Sequence, residues 1–92
     1  MIHTTTVALP PQEVLERAKR FFAERVPHAA AFVEKEGPRF VVLRGQGGEE
    51  VVFGAWVDDS GKTRIRASTL FFDQAVDRFF STLPLESAVE VA

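Results

Sequence analysis

Cysteine is absent from these 92 residues, which excludes disulfides and thiolate metal sites and leaves the redox compartment undetermined. Tyrosine is absent as well. With nine Phe and one Trp, nearly all the aromatic surface lacks a polar handle, so it reads as core filler that needs no hydrogen-bond partner. An excess of one charge sign is also missing: 11 Lys and Arg against 13 Asp and Glu give a net charge of −2. That balance supplies none of the positive field on which nucleic-acid affinity depends. No apolar run approaches the roughly 20 residues of a membrane span, and Met1–Thr6 has neither the basic patch nor the apolar stretch of a signal peptide. The expectation is a cytoplasmic protein with no nucleic-acid or membrane partner.

Hydrophobic residues make up 46% of the chain, enough for a compact core. A chain of this size buries roughly 60–65% of its unfolded surface, so one domain of modest stability is expected over residues 1–84. The tail 85–92 is weakly patterned and expected to be mobile, although Val89 and Val91 would let it dock on an edge.

The β-branched, Thr-rich run Ile2–Leu9 has the composition of a strand and ends at Pro10-Pro11. Over residues 10–26, Val14, Leu15, Ala18, Phe21 and Phe22 recur at helical spacing, and Pro27 stops the helix. Four strands follow, at 29–35, 39–44, 49–57 and 63–68, separated by Glu36-Gly37-Pro38, Gly45-Gln46-Gly47-Gly48 and Asp58–Lys62. The last of these reads as a three-residue hairpin loop with Gly61 left-handed. A second helix lies within 69–83, capped by Thr69 or, if shorter, by Asp73. It presents Phe72, Ala75, Val76, Phe79, Phe80 and Leu83 on one side and ends at Pro84. The fold class is therefore α+β, with the order strand, helix, four strands, helix. An antiparallel meander sheet carries both helices on one face.

Pairing Asp58 with Lys62 puts Phe53, Ala55, Val57, Thr63, Ile65 and Ala67 on the core face, and Trp56 opposite Arg64 on the other face beside Val52 and Arg66. Period-2 alternation carried back through the Gly-rich turn adds Val51, Val42, Phe40 and Val33 to the core and leaves Phe32, Val41 and Leu43 with Trp56. The second face is too apolar to stay wet. Its interface candidates are Phe32, Val41, Leu43, Val52, Trp56, Arg64 and Arg66, centred on a guanidinium over the Trp56 indole.

Other motifs have plainer explanations. Gly45-Gln46-Gly47-Gly48 leads into no helix and precedes two acidic residues, so it is a hairpin and not a phosphate loop. His3 and His28 have no partner at metal or triad spacing and are expected on the surface or in caps. Asp58-Asp59 is turn chemistry, with too few oxygens for calcium. Asp73 is stabilised by the helix macrodipole, and Asp77 lies one turn on. No catalytic residue, metal or cofactor follows from these patterns.

The element order resembles the TATA-binding-protein-like fold and its larger relatives, the helix-grip proteins of the START and pollen-allergen type. The resemblance implies two things. A nucleic-acid surface would fall on the open sheet face, where Arg39, Arg64 and Arg66 are offset by Glu34 and Glu50. An apolar-ligand pocket would fall under the last helix, lined by Phe53, Phe72, Val76, Phe79 and Phe80. The residues favour a small non-catalytic protein that homodimerises or docks a protein partner through the Trp56 face; the alternative is a reduced helix-grip module for a small apolar ligand.

Overall fold

The computed structural model describes residues 1–26 and 29–92. Pro27, expected to stop the first helix, and His28, expected on the surface, lie outside the described residues. Eight elements follow in order: β1 Ile2–Val7, α1 Pro11–Glu24, β2 Ala31–Gly37, β3 Phe40–Gly45, β4 Glu50–Val57, β5 Thr63–Thr69, α2 Asp73–Phe80 and β6 Glu90–Val91. They form one antiparallel sheet in the order β2-β3-β4-β5-β1-β6. The meander is β2 to β5, and β1 closes against β5.

Each helix forms where its apolar stripe and its end signals agree. Pro10 and Pro11 open α1, where a missing N–H costs nothing. Its buried stripe is Val14, Leu15, Ala18, Phe21 and Phe22. α2 is the shorter helix, but Asp73 is its first residue and not its cap, Phe72 stands at the cap position, and Thr69 still prepares the start. The Thr69 hydroxyl accepts from the N–H groups of Phe71 and Phe72 at 3.2 and 3.0 Å, and donates to the Glu50 carbonyl at 2.8 Å. The side expected to be apolar, Phe72, Ala75, Val76, Phe79, Phe80 and Leu83, is buried throughout.

Both helices cover the same sheet face. Phe53 of β4 meets Phe22 of α1 at 5.5 Å and Phe79 of α2 at 5.4 Å between ring centroids. Phe22 also stands edge-on to Phe72 at 5.6 Å. These mixed edge contacts are the geometry aromatic quadrupoles favour.

The hairpin at 58–62 forms as read. Asp58 N–H donates to the Lys62 carbonyl at 2.8 Å, Gly61 has φ +81, and Trp56 faces Arg64. The Asp58 carboxylate accepts from the Ser60 hydroxyl and from the N–H groups of Ser60 and Lys62. These donors, the Ser60 hydroxyl first, hold its pKa below the usual aspartate value.

β3 is the correction. Its register with β4 pairs Val41 with Phe53 and Leu43 with Val51, so Val41 and Leu43 are fully buried core residues. Val42 and Phe40 lie across from Val52 and Gly54 on the other face. The cause is the loop. Gly45 N–H donates to the Glu49 carbonyl, Gly48 N–H to the Gly45 carbonyl, and Gly48 has φ +90. Three residues, 46–48, therefore span this turn as 59–61 span the next one, and an odd-length loop pairs odd positions with odd.

A bulge at Glu34 then shifts the register between Val33 and Lys35. Val33 falls opposite Leu43 and Phe32 opposite Arg44. Val33 is thus on the helix side, although 43% exposed at the edge. Val57, placed in the core by its register, is 57% exposed at the end of its strand.

The tail lies along β1. Ile2 and Ala92 exchange backbone hydrogen bonds at 2.9 and 2.8 Å, and Glu86 N–H donates to the Thr6 carbonyl. Ser87 ties it down further. Its hydroxyl accepts from Thr6 N–H at 3.1 Å and from the Thr6 hydroxyl at 2.7 Å, and its carbonyl accepts from the Thr5 hydroxyl at 3.1 Å. Among the described residues no helix is long and apolar enough to cross a membrane.

Candidate functional site

The sheet face opposite the helices is built from even-numbered residues, except that the bulge brings Lys35 and Gly37 of β2 onto it, and the strand registers arrange them in four rows. Phe32, Arg44 and Glu50 form the first row. Lys35, Val42, Val52, Ser68 and Ile2 form the second; Gly37, Phe40, Gly54, Arg66, Thr4 and Glu90 the third; Trp56, Arg64 and Thr6 the fourth. The helices pack on the other side, so among the described residues no element covers these rows. Phe32 is 54% exposed, Phe40 lies just inside the exposed range, and Val42, Val52, Ile2 and Trp56 are half-buried by their neighbours.

Five of the seven expected interface residues, Phe32, Val52, Trp56, Arg64 and Arg66, lie on this face. Val41 and Leu43 do not, and Val42 and Phe40 take their places. The Trp56 geometry also differs from expectation. Arg64 is its cross-strand neighbour, but among the described residues the guanidinium seated over a ring is Arg78 above Phe21, at 6.0 Å. The indole leans over Gly54 instead: a β-carbon at 54 would stand 3.6 Å from Trp56 Cζ3. Gly54 leaves a shallow bare strip in the middle of the face, and the indole lies along it.

Charge is divided across the face. Arg44 donates to Glu50 at 2.8 Å, to the Gly48 carbonyl at 2.8 Å, and to Glu34 through Nε and Nη2. Hydrogen bonding to Arg44 lowers the Glu34 pKa. Lys35, opposite Val42 on the same face, adds a second positive charge beside Glu34, so two carboxylates, one guanidinium and one ammonium leave this corner near neutral. At the opposite end neither Arg64 nor Arg66 has a carboxylate within salt-bridge distance among the described residues. Beyond the first row, Leu70 is 97% exposed. It lines a groove of about 750 Å³ with Ile2, Arg44, Glu50, Ser68 and Phe71.

The expected pocket residues Phe53, Phe72, Val76, Phe79 and Phe80 come together under α2, each at most 2% exposed. Phe22 enters between Phe53, Phe72 and Phe79, so rings occupy the space where a ligand would sit.

One constellation escaped the sequence reading. His3, expected on the surface, is buried edge-on to Phe80 at 6.4 Å, and its Nε2 meets Asp73 Oδ1 at 2.9 Å across 70 positions. The Met1 ammonium reaches the same carboxylate at 3.2 Å. The His3 hydrogen bond, first among these causes, lowers the Asp73 pKa. His3 Nδ1 is buried without a partner, and no nucleophile bonds to the ring. Among the described residues no three His, Asp or Glu are grouped to hold a metal ion.

Compared with family models, curated proteins and solved structures, the chain matches none.

Proposed function

We propose that the chain is a small non-catalytic interaction protein whose open sheet face is closed in use, by a second copy or by another protein. The observation that carries this reading is the set of apolar residues Phe32, Phe40, Val42, Val52, Ile2 and Trp56, which four strands contribute to one face and which no element covers among the described residues. Contiguous apolar surface of this kind on a small domain marks a contact site, and Trp with flanking Arg is the usual anchor set.

The β2 edge does not compete for this role. β2 carries a bulge and the exposed charged run Glu34, Lys35 and Glu36, features that discourage strand-to-strand addition. Glu36 is further drawn toward the helices by Lys19 at 2.9 Å.

Sedimentation of the purified chain tests the reading. Self-association in the micromolar range is expected, with Trp56→Ala weakening it at least tenfold and leaving the fold intact. A monomer at several hundred micromolar, together with a Trp56→Ala variant identical in stability and association, overturns it. The resemblance to helix-grip proteins points instead to a pocket under α2. The interleaved rings there lend it less support, and an apolar dye that raises the melting temperature would favour it.

A further inference from the structure

We infer that the cover is a second copy of this chain, stacked face to face about a two-fold axis that crosses the strands at Val52 and sets Arg66 of each copy on Glu50 of the other. The inference rests on the interaction reading above and names its partner and register.

Size comes first. Five strands about 4.8 Å apart and some 20 Å long make a plan area on the order of 500 Å². Stable pairs bury roughly 800 Å² of accessible surface per partner, so nearly the whole face must be used and an offset dock is too small. A two-fold partner satisfies this, because one self-complementary patch then covers both copies.

Charge selects among such arrangements. The exposed Glu50 carboxylate lies in the first row, and Arg66, which has no carboxylate partner among the described residues, lies two rows up and one strand over. A two-fold axis in the plane of the interface acts on the face as a reflection. The line midway between Glu50 and Arg66 passes through the second row at Val52. Both bridges then form, related by symmetry, while an axis along the strands through Val52 would set Arg66 on Phe40 and leave it without a carboxylate.

That line is tilted from the perpendicular to the strands, so the strands of the two copies cross. With the right-handed β1-α1-β2 crossover expected for parallel strands, the crossing has the sense and about the size, near −30°, at which twisted sheets stack. The apolar residues agree with this placement. Trp56 at the far end falls over Phe32 of the second copy, and Ile2 falls toward its Leu70. The arrangement therefore gives cover to two exposed apolar residues in the first row and just beyond it, Phe32 and Leu70.

The test uses two full-length variants, Arg66→Glu and Glu50→Lys, each checked for native circular dichroism and melting. Each alone is expected to self-associate at least tenfold less tightly than the parent. An equimolar mixture is expected to recover a one-to-one pair within about threefold of the parent's dissociation constant. A mixture that binds no better than either variant alone overturns the register, as do variants that self-associate like the parent. If the parent dimer is lost in Trp56→Ala yet indifferent to both charge variants, only the register fails. A parent that stays monomeric overturns the second copy as partner.

Discussion

Side chains two positions apart share a face, so a one-residue error in register exchanges every partner of a strand. Leu43 and Val42 show the consequence. Leu43 is enclosed between Val51 and the helices, whereas Val42 faces out beside Val52. Leu43→Ala should therefore cost about 2–5 kcal/mol in denaturant unfolding of dilute protein, as large-to-small core changes do. Val42→Ala should cost under about 1 kcal/mol, and equal costs would mean that the faces of β3 have been exchanged. Asp73 carries part of the pH dependence. Its pKa is depressed by His3 and the Met1 ammonium, so its contribution is present above the ordinary aspartate range near pH 4 and is lost as pH falls through the lower folded value. The stability gap between the parent and Asp73→Asn should accordingly shrink from pH 6 to pH 2. A constant gap would show that the charge of Asp73 is not what stabilises the fold.

At the scale of elements, two hairpins use the same device. Asp58–Lys62 and Gly45–Glu49 each close a three-residue loop with a glycine at positive φ, Gly61 and Gly48. The signal that set the register of β4 and β5 was thus present before β4 too, hidden by two further glycines that lengthened the apparent turn. The bulge at Glu34 had no such signal. It cancels the slip in β3, which is why Phe32 lies on the open face although the strand between it and Trp56 was turned over. The tail depends on a single side chain in a comparable way. Ser87→Ala leaves Thr6 N–H without its acceptor and removes the Thr6 hydroxyl's partner. A loss of about 1–2 kcal/mol is expected, roughly a 5–15 °C fall in melting temperature for a domain of this size. No change would mean that the tail adds nothing to the β1 edge.

The whole molecule is a two-layer domain with helices on one side of its sheet and apolar surface on both. If that second surface closes by pairing, stability follows mass action, and the parent's melting temperature should rise with protein concentration while that of Trp56→Ala stays level. Local chemistry alone determined much of this protein. The 3.6-residue spacing marked both helices and their buried sides, and Pro10-Pro11 the start of the first, while the second runs only over Asp73–Phe80 within the wider span expected of it. Turn residues delimited the strands, and the Gly61 loop set Trp56 against Arg64. Those features were legible because each depends on neighbours within a few positions. Only the tertiary structure decided which side of β3 is core, that the Trp56 indole lies over Gly54, that His3 reaches Asp73, and that the tail docks through Ser87. The His3–Asp73 and Thr6–Ser87 contacts join segments whose separation in sequence carries no period. Strand order brings His3 to Asp73 and the tail to β1, while loop length and a bulge decide which rows of the open face stand together.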